Sequence, residues 1–328
     1  MEMYRMIRSR VAEAPLLLLR PYVAVLRVFL RCHTNETPCS DTEWSSCASA
    51  LQTLRNTQTI KSNHVASFLA LGMSLVTFHR MISGISASTI CRFTLSLIEP
   101  YYYANQIDEC DALELSMFRA RVPVIEYQVR DPSRVYQQAG LCGSLLPLLY
   151  QVCLLATAVK MGEGHNIPSS SYDNIKRELH AWLPVISPST LERFSSEETL
   201  LLIAQANLHR AAALLYLHRL RYPFGKQNEE AEDLSRAMVN EMEHCLAVAG
   251  QFPPNITLIL LVAGAEVQDA QGRQRMSALI SNILGSNFYP FIANLRLFLR
   301  RVWTERDRGR ATYLFRLFEQ DPELSIPL

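Results

Sequence analysis

Lysine is scarce in this chain, occurring only as Lys61, Lys160, Lys176 and Lys226. Nearly all positive charge sits on arginine, and no lysine-rich tract forms a nuclear import signal; Arg5, Arg8 and Arg10 make only a sparse basic start. Net charge is also lacking. With 32 basic against 31 acidic residues the formal charge is +1, which argues against a domain that grips nucleic acid through its bulk surface, because counterion release needs a marked basic excess. Charge of either sign is sparse too, at 19% of the residues against 49% apolar. Global disorder is thereby excluded, and 328 residues hold ample material for a large buried core.

Paired cysteines are missing as well. Cys32, Cys39, Cys47, Cys91, Cys110, Cys142, Cys153 and Cys245 lie far apart and mostly in apolar stretches, unlike the dense framework of a small secreted domain, so they are expected to be reduced and buried. No two are separated by the two to four residues with which most zinc signatures begin. Cys32, Cys39 and Cys47, with His33 beside the first, have the spacing of one arm of a binuclear cluster, but without a close pair they are read as isolated thiols. No secretion signal is expected, since Pro15, Arg20 and Pro21 interrupt the apolar start. One charge-free run, 135–159, is long enough to span a bilayer, yet Gln137, Gln138, Gln151 and Pro147 weaken that reading. A central helix surrounded by others is expected there, and no membrane association.

The constellations of catalysis are incomplete. A metal-dependent lyase of the terpene synthase type is the alternative reading, because such enzymes are helical and of similar length. They hold magnesium between two facing carboxylate sets; Asp108, Glu109 and Asp111 approach the first set, and no second set is found. Glu241 and His244 have the Glu-x-x-His spacing of a di-iron bundle, which needs the motif twice and here has it once. Gly84-Ile85-Ser86-Ala87-Ser88 lacks the second glycine of a nucleophile elbow, and Gly140 and Gly143 are not followed by the Lys and Ser/Thr of a phosphate loop. No catalytic, cofactor-binding or metal-ligating residue is assigned, no cofactor is expected, and the chain is not expected to be an enzyme.

What is present is helical punctuation. Asp131 and Pro132 predict a helix over 131–160 ended by Gly162 and Gly164. Ser195 and Glu198 form a capping box ahead of the apolar run 200–220, which Pro223 and Gly225 stop. A helix from about Glu229 to Gly250 follows, then one carrying 256–267 after Pro253 and Pro254, with Gly272 and Gly285 as later breaks. The last two are predicted over 289–305 and 310–319, closed by Pro322. Upstream, 16–30, 65–82 and 89–98 have helical length and no strict alternation, while 33–41 and 162–171 are predicted surface loops. The expected fold is all-α, an irregular array of antiparallel helix pairs around a large apolar core, as one domain over 1–328 with a subdivision near 162–171 as the alternative.

Two basic clusters stand out. His209, Arg210, His218, Arg219 and Arg221 share one long helix, and Arg296, Arg300, Arg301, Arg306, Arg308 and Arg310 form the densest patch, interrupted by Glu305 and Asp307. Local pairing and solvated helix faces are the expected roles of both. Nearby segments suggest packing: Ala211, Ala212 and Ala213 permit close approach of a neighbouring helix, Gly264 does so one helix later, Glu266 and Arg273 are placed to pair across a turn, and Trp303 offers a large anchor.

The stretch AAALLYLHR, Ala211 to Arg219, resembles the fungal-specific transcription factor domain found C-terminal to Zn2Cys6 zinc clusters. The likeness continues through Pro253-Pro254, LLVAGAE (Leu260 to Glu266), Arg273, and Val302-Trp303 with Arg306-Asp307, and is clearest over 191–318. Departures are Leu258-Ile259, where the family has tryptophan-proline, and Ala265, where it has cysteine before the glutamate. The resemblance implies a nuclear regulator of transcription, often of metabolic or secondary-metabolite genes, whose helical domain contacts the transcription machinery or a DNA-binding regulator and is compatible with homo-oligomers. No zinc cluster follows Met1, so direct DNA binding is not carried over: either a cluster is encoded upstream, or the protein is an accessory factor.

Overall fold

The computed structural model describes residues 11–12, 14–34, 39–82, 88–103, 132–133, 135–136, 139–161, 168–284, 289–310, 313–314 and 316. Among them are twelve α-helices and no strand, the one β-type contact being an isolated bridge between Tyr136 and Gly140. The all-α expectation holds. Four helices make an N-terminal group: α1 (Pro15–Thr34), α2 (Asp41–Asn56), α3 (Val65–Ile82) and α4 (Ser88–Tyr103). There α1 packs on α2 and α3, and α3 packs on α4. The rest are α5 (Leu146–Lys160), α6 (Ser169–Ala181), α7 (Pro188–Arg193), α8 (Ser196–Arg221), α9 (Asn228–Ala249), α10 (Thr257–Glu266), α11 (Ala270–Leu284) and α12 (Tyr289–Asp307).

Helix α8 is the hub, touching α5, α6, α7, α9 and α10. The predicted capping box starts it: the Glu198 N–H donates to Ser195 Oγ at 3.2 Å, and the Ser195 N–H donates to Glu198 Oε2 at 2.9 Å. Farther along the same helix Ala212 through Leu220 are all buried, which suits a helix with apolar residues on every side. Helix α10 goes further, since each of its 10 residues is buried. Helix α12 touches α10, α11 and also α3, and so ties the two groups together. The main cluster of buried apolar side chains runs from Leu18 to Leu314, and includes Leu155 and Ala156 before the 162–171 connector and Tyr172 and Ile175 after it.

Several boundaries differ from those read in the sequence. The predicted helix over 131–160 begins only at Leu146. Before it, Tyr136 and Gly140 exchange N–H···O=C bonds of 2.8 and 2.9 Å, Gly140 takes φ +57°, and Gly143–Leu145 forms a 3-10 turn. That closed turn satisfies the backbone locally, and Pro147 falls in the first helical turn, where its missing N–H costs nothing. Gly272 does not break a helix but lies in the first turn of α11, its N–H donated to Asp269 Oδ1 at 2.7 Å. Helices α2, α6, α7 and α11 have no counterpart in the sequence reading. Helix α2 nevertheless has a clear start signal, a capping box in which the Ser40 N–H donates to Glu43 Oε2 at 2.7 Å. Asp131, Gly285 and six of the ten residues of the predicted 310–319 helix lie outside the described residues.

By length and composition, two described helical stretches are apolar enough to cross a membrane, Gly143–Lys160 and Ser196–Arg221. Each has half or more of its apolar window inside the core, 50% and 67% respectively.

Candidate functional site

The C-terminal ends of α8 and α10 meet the last turn of α12 around one carboxylate. Arg219 is fully buried, and its Nε and Nη2 each donate to Glu266 at 2.7 Å, a bidentate pair. Its Nη1 donates to the carbonyls of Pro223 and Lys226 at 3.2 and 2.9 Å, and Nη2 donates also to Asn228 Oδ1 at 3.0 Å. All five guanidinium donors are thereby engaged. Arg306 approaches from α12, its Nη1 donating to Glu266 Oε2 at 3.0 Å and to the Ala265 carbonyl at 2.5 Å. The ring of Phe224 lies against both cations, 5.1 Å from Arg219 and 4.8 Å from Arg306. Burial pulls the Arg306 pKa below its ordinary value, with Glu266 opposing that shift.

The expected pair between Glu266 and Arg273 is not formed. Asp269 caps α11 and turns the chain, so that Arg273 faces α12 and donates to both oxygens of Asp307 at 2.8 and 2.6 Å while lying 5.4 Å from the Trp303 ring. Trp303 anchors the last helix as its size suggested: its Nε1 donates to the Gly264 carbonyl at 2.8 Å. Gly264 permits that approach, since a Cβ there would lie 2.9 Å from Leu299 Cδ1. Sequence reasoning named Arg219, Glu266 and Arg306 separately and missed their convergence. The available signal was that each sits at the end of an apolar segment with family character, where a charge needs either solvent or a partner.

The other residues of the α8 cluster do not converge. His209 is buried with Nδ1 2.8 Å from the Gln205 carbonyl, and Arg210 donates to the Trp182 carbonyl at 2.8 Å. His218 places Nε2 2.8 Å from the Gln227 carbonyl and Nδ1 3.4 Å from Glu230. Burial lowers its pKa, partly opposed by the hydrogen bond to Gln227. Arg221 donates to Asp173 at 2.7 Å and stacks near Tyr172 and Tyr222. The α12 patch divides similarly. Arg306 leaves it for the core, Arg308 and Arg310 both meet Glu305, and Arg296 donates to Ser281 Oγ.

Among the described residues no three His, Cys, Asp or Glu side chains are grouped to hold a metal ion. Burial pushes the Cys39 thiol up to about 11 and the Cys47 thiol up to about 12, so both stay protonated near neutrality and are poor ligands. The side chains of Cys32 and His33 lie outside the described residues, as do Asp108, Glu109 and Asp111 and the segment 83–87. On α9, Glu241 is half-buried and His244 exposed, with no second such motif facing them among the described residues. Gly140 and Gly143 serve packing, because a side chain at either would overlap Gln205 or Tyr136.

What the arrangement can do chemically is limited. Glu266 is buried and accepts three hydrogen bonds from two guanidinium groups, so its charge is committed to that pairing rather than poised for proton transfer. It joins three helices. A family model described as the fungal specific transcription factor domain matches residues 23–317, extending the likeness back from the 191–318 region over the N-terminal helices. No curated protein and no solved structure matches the chain.

Proposed function

This chain belongs to the family of fungal specific transcription factor domains, a family of transcription regulators, and we propose that it works in the nucleus as a helical module acting through protein contacts. Its partners are the transcription machinery or a DNA-binding regulator, and its targets metabolic or secondary-metabolite genes. The observation that carries the reading is the convergence of the three family segments on a buried Arg219–Glu266–Arg306 cluster whose acid is fully paired. Such a cluster sets how helices sit against one another rather than presenting a reacting group. The formal charge of +1 favours protein contacts over bulk DNA binding, with sequence reading supplied by another segment or another protein. The family match lends no support to a magnesium-dependent lyase, and we propose no catalytic role.

The test is chromatin association of the tagged protein, followed together with its cellular location. Enrichment at a defined set of promoters is the expected result. Exclusion from the nucleus under every growth condition would overturn the proposal.

A further inference from the structure

Helices α11 and α12 diverge to leave a groove of about 340 Å³, at the small end of the range for ligand pockets. Its floor is apolar, made by Ile280, Leu299 and Trp303, all buried. Its rim is basic. Arg296 and Arg300 are one helical turn apart on α12, so both project along the same face, and Ser281 of α11 steadies Arg296 by accepting a hydrogen bond.

No described residue lining this groove is acidic. That sets these two arginines apart from the others nearby, which are neutralised: Arg273 by Asp307, Arg275 by Glu243, Arg306 by Glu266, and Arg308 and Arg310 by Glu305. The second cleft, beside Glu232, Arg236 and Arg275, has its cations matched by acids within hydrogen-bond reach and offers no such imbalance. Two cations over an apolar floor suit an anion with a compact apolar body.

We propose that the α11–α12 groove is a binding site for a small organic carboxylate, its head group held by Arg296 and Arg300 and its apolar part laid on Ala278 and the accessible edge of Trp303. Trp303 both lines the groove and donates to the Gly264 carbonyl, so an occupant touches a side chain that fixes α12 on α10. In a transcription regulator this couples a metabolite to the packing of the family segments; that consequence rests on the regulator reading, whereas the binding itself does not.

The test uses the purified full chain and the indole N–H resonances of its three tryptophans, assigned through W44F and W182F so that Trp303 is identified without being altered. Phenylacetate is the probe, phenylacetamide the uncharged control and inorganic phosphate the control without an apolar body. The expected result is a saturable shift confined to the Trp303 resonance, about tenfold weaker or more in R296Q and in R300Q, as loss of a charge-assisted bond predicts, and about tenfold weaker or more with either control. Unchanged Trp44 and Trp182 resonances establish that the variants are folded. No saturable Trp303 shift, equal response to phenylacetamide or phosphate, or undiminished binding by both arginine variants would each overturn the proposal. Because the readout is binding to the isolated protein, its failure leaves chromatin association standing, and the reverse also holds.

Discussion

Glu266 carries one negative charge between two buried guanidinium groups, and the balance of that trio depends on it. Removing the charge leaves Arg219 and Arg306 facing each other across Phe224 with no anion between them. Glu266→Gln is therefore expected to lower stability by about 3–5 kcal/mol, the range for breaking a buried pair, as read from the denaturant midpoint with an unchanged slope. Near-wild-type stability would show that the cluster is solvated and structurally minor. His218 supplies a pH effect. Its folded pKa lies below its ordinary 6.5 because burial disfavours the cation, so below that pH the unfolded chain binds a proton that the folded chain does not. Stability is fully present above 6.5 and is lost as pH falls toward the folded value, at most about 1.4 kcal/mol per pH unit for one proton. His218→Gln is expected to reduce that slope in unfolding curves taken across the window, leaving the share of His79, which burial shifts the same way.

At the scale of elements, α3 and α4 meet where Gly72 faces Thr94, so closely that an alanine Cβ would overlap the threonine side chain and lie 2.9 Å from its Cβ. Thr94 is fully buried and its hydroxyl donates to the Ile90 carbonyl at 2.8 Å, which leaves it little room to move. Gly72→Ala gains helix propensity in principle but is expected to cost about 1–3 kcal/mol by overpacking. Pairing it with Thr94→Ala removes the overlap with the hydroxyl and methyl but leaves the Cβ contact at 2.9 Å, so it should recover part of the loss, and thermal unfolding of both singles and the double measures the coupling. Additive effects would mean that the helices are not in contact there. Element ends were legible wherever a cap or a helix breaker stood beside a long apolar run, as at Ser195 with Glu198, Gly225 and Gly250. They were misread where a local hydrogen-bonded turn competed with helix, as at Tyr136 and Gly140, and where the apolar face was narrow, as on α6, whose buried residues are only Tyr172, Ile175 and Leu179.

For the whole molecule the near-zero charge has a direct consequence. Without a basic excess there are few counterions to release, so the purified chain is expected not to retard a random-sequence duplex at roughly 10 μM protein and about 0.15 M salt. Retardation that strengthens steeply as salt falls would show a basic face that the net charge conceals. The class of the protein was legible from its sequence because apolar content, helical spacing and caps are properties of neighbouring residues. The family was legible for a related reason, since its segments survive as short contiguous strings around Ala211 to Arg219, Leu260 to Glu266 and Trp303. Which charge meets which was decided only when the chain folded. Arg219 and Arg306 lie 47 and 40 residues from Glu266 along it, and only the packing of α8, α10 and α12 brings them within hydrogen-bond distance, while the turn at Asp269 sends the nearer Arg273 to Asp307 instead.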